Sequence, residues 1–217
     1  MCAAYGRGAV NTVSWHPQNP ESGASAWDGK TSTAVSSILP GGANHAQFRL
    51  WLDRLAGFFV GLKSADGTCV PVLFRPFHEH TGSGFWWGEA QCTPDEYKAL
   101  WRFTVEYLRD VKGVHNLLYV YSPDLYRDAE HYTERYPGDE WVDVLGLDAY
   151  LRPLVWDFLS GGERMLSTLQ RLGHEHGKPT AFTETGLEGI PDTAWWTRRL
   201  LPVIGMPIRR EPRRSTI

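Results

Sequence analysis

A chain of 217 residues, 42% apolar and 22% charged, is long enough for one sizeable core and has an ordinary globular composition, which excludes disorder, collagen and coiled coil. Its formal net charge of -3, with both signs mixed along the chain, leaves no basic footprint for nucleic acid and none for an acidic membrane surface, so a small neutral ligand fits better. Aromatic residues reach 13%, more than packing alone calls for, and flat rings stack on sugars or bases.

Short β-branched and aromatic runs alternate with segments of helical period, the pattern of βα units around a parallel sheet. Val10 to His16, "VNTVSWH", reads as the first strand, and a Gly/Ser/Pro-rich loop from Pro17 to Gly42 follows, long enough to be functional or disordered. Asn44 can cap a helix whose apolar face is Phe48, Trp51, Leu52, Leu55, Phe58, Phe59 and Leu62. The strand "CVPVLFRPFHE" is expected to run to Glu79. In "TPDEYKALWRFTVEYLRDVKG", Thr93 caps, Pro94 suits the first turn, Glu96 completes a capping box and Gly113 stops the helix; Tyr97, Leu100, Trp101, Val105, Leu108 and Val111 form its apolar face. Strands follow at Asn116 to Pro123 and Trp141 to Tyr150, then a helix around Glu163 to His176, with His174 and His176 solvated at its end. The strand "PTAFTETG" and a last helix capped by Asp192, packing Trp195 and Trp196 and interrupted at Pro202, complete the series. Residues 207–217, rich in Arg and Pro, have no period that could bury a face and read as a disordered tail after a single domain over 1–206.

The three cysteines, Cys2, Cys69 and Cys92, are odd in number and lack C-x-x-C spacing, so neither a zinc site nor a disulfide framework is indicated. "MCAAYGRGAV" lacks the layout of a secretory signal, and no apolar run approaches the roughly 18 residues of a membrane span.

Side chains alternate along a strand, which would put Arg75, Phe77 and Glu79 on one face, Gly146, Asp148 and Tyr150 on another strand's face, and Thr180, Phe182 and Glu184 likewise. Parallel strands bring their carboxyl ends to one rim, where Glu79 and Glu184 would meet. Paired carboxylates beside aromatic rings suit glycosidic cleavage: one protonates the leaving oxygen while the other attacks or stabilises the sugar cation. A cation such as Arg75 would keep one of them ionised. The "HEH" of His78 to His80 does not suit a metal, because adjacent strand residues point to opposite faces and H-E-x-x-H spacing is absent. Trp86 and Trp87 are open to two readings, core or sugar platform, and Arg75 and Asp148 read as hydrogen-bonding supports.

"VSWHPQNP", "VPVLFRPFHEHTGSGFWWG", "VDVLGLDAY" and "KPTAFTETG", in this order and spacing, resemble glycoside hydrolase family 26, a group dominated by endo-β-1,4-mannanases. The likeness runs from about Ala4 to about Leu201. It implies an α/β fold, a (β/α)8 TIM barrel, and retaining cleavage of mannan-type polysaccharide; no cofactor, metal, nucleic acid or membrane is expected. A β-glucanase or β-xylanase of the same family, or an inactive sugar-binding remnant, is the alternative. By resemblance Glu79 matches the acid/base and Glu184 the nucleophile; Tyr150 matches the tyrosine bonded to the nucleophile, His78 the histidine before the acid/base, His16 a histidine facing the cleaved sugar, and Trp86 and Trp87 the family's W-W pair. Where the family commonly has Trp this chain has Gly84, so a stacking surface near the cleavage point is expected to be missing. The recognisable strands count as three to seven, so the barrel is expected to be incomplete, lacking strands one, two and eight, and the parent enzyme to be secreted or extracytoplasmic.

Overall fold

The computed structural model describes residues 1–151 and 158–205, with the backbone alone for 158–160. The Arg/Pro stretch 207–217 lies outside the described residues.

A single turn, α1 (Cys2–Tyr5), leads into β1 (Asn11–Trp15), and a long loop then reaches α2 (Ala34–Ile38) and α3 (His45–Gly61). Next come β2 (Val72–Pro76), α4 (Pro94–Glu106) extended by a π-helical turn over Tyr107–Val111, β3 (Leu117–Tyr121), the short α5 (Ala129–Thr133) and β4 (Val144–Leu151). Finally α6 (Phe158–His176), β5 (Thr180–Leu187), a π-helical turn over Trp196–Leu200 and α7 (Leu201–Gly205) close the series. Among the described residues no helix is long and apolar enough to cross a membrane.

The five strands are parallel and stand in chain order, forming a curled half-barrel with β1 and β5 as its edges among the described residues. The incomplete barrel expected from strands three to seven is therefore the architecture found. Helices cover the outer face, and the core lies between: Phe48, Leu52 and Phe59 from α3, Leu100, Trp101 and Val105 from α4, and Phe74 and Tyr119 from the sheet are all buried. The capping box starts α4 as its sequence requires, with Glu96 N donating to Thr93 Oγ1 at 3.2 Å and Thr93 N donating to Glu96 Oε2 at 2.8 Å. Gly113, at φ 65°, ends the helical run in the left-handed region that glycine adopts freely.

Several expectations are corrected. Phe58 and Val111 are exposed, Val111 at the end of the π-helical turn Tyr107–Val111, where the 3.6-residue period that predicted its face no longer holds. The helical run is not broken at Pro202: the π-helical turn Trp196–Leu200 runs straight into α7, and Trp196 is exposed while Trp195 is buried. Strand β2 stops at Pro76, the partner of Trp15, and does not reach Glu79. In β5 the simple alternation fails: Leu147 registers with Phe182 but Asp148 with Glu184, leaving Thr183 as the extra residue of a bulge. Phe182 thus packs with the core while Glu184 joins Asp148 on the inner face.

Candidate active site

The hub of the rim is Arg75, 1% exposed. Its Nε donates to Ser122 Oγ at 3.0 Å, and its Nη1 donates to Ser14 Oγ at 3.1 Å and to Glu184 Oε1 at 2.6 Å. Its Nη2 pairs with Asp148 Oδ2, so one guanidinium ties together side chains from β1, β2, β4 and β5 and the residue after β3. Thr183, freed by the bulge, places Oγ1 2.6 Å from Asp148 Oδ1 and 2.9 Å from the Leu147 carbonyl, its one hydroxyl proton serving either acceptor. Tyr150 donates to Glu184 Oε2 at 3.0 Å. Carboxylate oxygens of Glu79, Asp148 and Glu184 lie within 4.8 Å of one another. These three are the only group among the described residues with donors close enough to share a cation, and Arg75 already binds two of them.

Electrostatics separates the carboxylates. Burial pushes Glu184 up, but the charge and hydrogen bond of Arg75, with the bond from Tyr150, outweigh it and hold the group below the usual carboxylate range. Burial pushes Asp148 up to about 8, against the pull of Arg75 and Thr183. Burial, then the neighbouring charge of Arg75, lowers His78 to about 3, which keeps its ring neutral.

Above this floor opens a cleft of about 720 Å³ lined by His16, His78, Glu79, Tyr150 and Glu184. His16 and His78 meet edge to face at 4.6 Å. The chain turns sharply here. Phe77 and Glu79 have φ of 50° and 55°, conformations that side chains with a Cβ adopt at about 1 to 3 kcal/mol each. Consequently Phe77 does not share a face with Arg75 and Glu79, as strand alternation predicted; it is fully buried, while His78 and Glu79, neighbours in sequence, both line the cleft. His80 points back into the core between the rings of Tyr97 and Tyr121, at 4.4 and 4.6 Å.

The predicted residues His16, His78, Glu79, Tyr150 and Glu184 are brought together, with Arg75 and Asp148 beneath them. Trp86 and Trp87 are not part of the cleft: both are 0% exposed, and their Nε1 atoms donate to the carbonyls of Pro17 and His78 at 3.0 and 2.8 Å. Of the two readings, core is the one found. The exposed ring is Trp27, 62% accessible, which stacks on Phe85 at 4.1 Å, and Phe85 stacks in turn on Trp87 at 4.5 Å. A Cβ on Gly84 would come within 3.1 Å of the Trp27 ring, so the long loop places its indole over the position where a larger residue would stand. The expected gap in the aromatic surface is thereby filled from another segment. Only a lone Trp in a Gly/Ser-rich loop hinted at this, and Thr183 and Ser122 gave no sequence signal at all.

Comparisons with known proteins agree with this geometry. The model of glycosyl hydrolase family 26 matches residues 1–161. The chain is 41% identical over 192 residues to a mannan endo-1,4-beta-mannosidase of Bifidobacterium adolescentis, covering 86% of this chain and 19% of that protein, and 35% identical over 195 residues to one from Bacillus subtilis, covering 84% and 49%. A family 26 beta-mannanase structure from Bacteroides ovatus superposes with a TM-score of 0.89 at 48% identity, over 94% of this chain and 59% of that one. An endo-beta-1,4-mannanase from Cellulomonas fimi gives 0.89 at 41%, over 95% and 48%. The chain therefore spans at most about 59% of each of these relatives. Sequence, half-barrel and rim agree: the chain belongs to glycosyl hydrolase family 26.

Proposed function

We propose that the site hydrolyses β-1,4-mannosidic bonds with retention of configuration, Glu184 acting as nucleophile and Glu79 as acid/base. The observation that carries this reading is the carboxylate pair itself, with oxygens within 4.8 Å, close to the roughly 5 to 5.5 Å of double displacement and well short of the roughly 6.5 to 9.5 Å that leaves room for an inverting water. The choice of sugar rests on the relatives, which carry the name mannan endo-1,4-beta-mannosidase.

The roles follow from charge. Glu184 is held ionised by Arg75 and oriented by Tyr150, as a nucleophile requires. Its carboxylate attacks the anomeric carbon while Glu79 gives its proton to the glycosidic oxygen, releasing the leaving sugar as an alcohol and forming a glycosyl ester on Glu184. Glu79, now ionised, takes a proton from an entering water whose oxygen attacks the same carbon, freeing Glu184 and restoring both groups. His16 and His78 flank the reacting sugar, and Trp27 offers the exposed face for stacking beside it.

Incubation with mannan, lichenan and xylan tests this, with reducing ends counted and the first-formed anomer read by NMR. The expected result is β-anomeric product from mannan, abolished in Glu184→Ala. Product with inverted configuration, an equal signal from the variant, or preference for lichenan or xylan would contradict the respective part of the reading.

A further inference from the structure

We propose that Tyr97 and Trp87 are positioning residues for the proton donor: through the backbone carbonyls of Phe77 and His78 they hold the left-handed turn that aims Glu79 into the cleft. The inference rests on the reading of Glu79 as acid/base.

The regular sheet ladder ends at Pro76, so the carbonyls of Phe77 and His78 just beyond it are not paired along a strand. Side chains take over. Tyr97 Oη donates to the Phe77 carbonyl at 2.8 Å, Trp87 Nε1 donates to the His78 carbonyl at 2.8 Å, and the Glu79 N–H donates to the Ser122 carbonyl at 2.8 Å. Both side-chain donors are 0% exposed, so water does not compete for these bonds.

The turn needs such support. Phe77 and Glu79 hold φ of 50° and 55°, and a bulky residue keeps a left-handed conformation only where its surroundings over-determine it. The chemistry needs the turn as well. In a continuing strand His78 and Glu79 would face opposite ways; here the rotation at Phe77 sends that ring into the core, against Trp86 and Trp87 at 6.3 and 5.8 Å, and lets both following residues reach the cleft. The Tyr97 ring also packs at a tilt against His80, the next residue, at 4.4 Å, so it grips the segment on either side of the catalytic carboxyl.

Tyr97→Phe and Trp87→Phe remove the donors while keeping aromatic packing. Their kcat/KM is to be measured, below each variant's own melting temperature, on two β-mannobiosides: a phenyl glycoside, whose departure needs a proton, and a 2,4-dinitrophenyl glycoside, whose departure does not. A misplaced acid lowers kcat/KM on the phenyl glycoside by roughly tenfold or more, part of the ~10²- to 10⁴-fold that general acid catalysis supplies, and leaves the dinitrophenyl value within about threefold. Tyr126→Phe, which deletes a buried hydroxyl bonded to the Met165 carbonyl far from the turn, is expected to change both substrates alike. Equal losses on both substrates in Tyr97→Phe and Trp87→Phe would overturn the positioning role. Glu79→Ala separates the two readings: it must show the same substrate split in full. If it does not, or if the unaltered chain turns over neither glycoside, the acid/base assignment itself falls and this inference with it.

Discussion

Gly84 and Trp27 occupy one patch of the cleft wall, and the absence of a side chain at the first lets the second lie there. A Cβ at 84 would sit 3.1 Å from the Trp27 ring, tighter than ordinary contact, and a whole indole would force Trp27 off Phe85. If Trp27 is a stacking platform, Trp27→Ala should raise KM for mannan about 3- to 10-fold, matching the ~0.5 to 1.5 kcal/mol of an aromatic contact. In a Gly84→Trp background the same truncation should change KM far less, because the introduced ring takes over the contact, and a double-mutant cycle reads the difference. Additive effects would show that the two positions act independently. At this scale the polar lining of the cleft was legible in the sequence: Glu79, Glu184, Tyr150, His16 and His78 come from segments whose chemistry is written in their residue types. Trp27 was not, because its partners Phe85 and Gly84 lie nearly sixty positions away. Trp86 and Trp87 were ambiguous for a related reason: a tryptophan reads the same whether its indole N–H meets sugar or a buried carbonyl.

Helix α4 shows how a local signal reaches the site. Its capping box fixes the first turn after Thr93, and that turn carries Tyr97 beneath the end of β2. Thr93→Ala should lower stability by about 1 kcal/mol, read as a shift in urea midpoint, because two backbone donors at the helix start depend on the reciprocal bonds. An unchanged midpoint would mean that tertiary packing alone holds the turn. The capping box and the apolar stripe were readable because they depend on residues three and four positions apart. The limits of β2 and the bulge in β5 were not, since both are set by pairing with another strand. Beyond Pro76 no partner continues the ladder, and between Leu147 and Asp148 the register slips by one residue. That slip turns Glu184 toward Arg75 and leaves Thr183 to hold Asp148.

The whole molecule should respond to pH with a maximum of stability near 6.5. Burial, with nearby cationic groups, lowers His78 from 6.5 to about 3, and burial lowers His80 well below 6.5, so the unfolded chain binds two protons that the fold refuses, and stability falls on acidification below 6.5. Asp148, raised by burial from 3.8 to about 8, acts oppositely: the fold keeps a proton that the unfolded chain releases above 3.8, so its contribution fades as pH rises toward 8. Of these three groups, two histidines oppose one aspartate between about 4.5 and 6.5 and only the aspartate titrates above 6.5, so together they contribute slopes of roughly 1.4 kcal/mol per pH unit on either side. Below about 4.5 the depressed Glu184 adds to the loss. Denaturant midpoints from pH 5 to 8.5 check this; a midpoint still climbing between 6.5 and 8 would contradict the raised Asp148, and Asp148→Asn should flatten the alkaline fall.

By itself the sequence determined the order of βα units, the start of α4, the family and the two glutamates, because these depend on residue type and on spacings of two to four positions. Tertiary structure alone decided which ring faces the cleft, how Glu184 turns inward and how Arg75 bonds two carboxyl groups at once. Those outcomes depend on strand register and on contacts between segments up to 170 positions apart, such as Ser14 with Glu184, which no local pattern encodes.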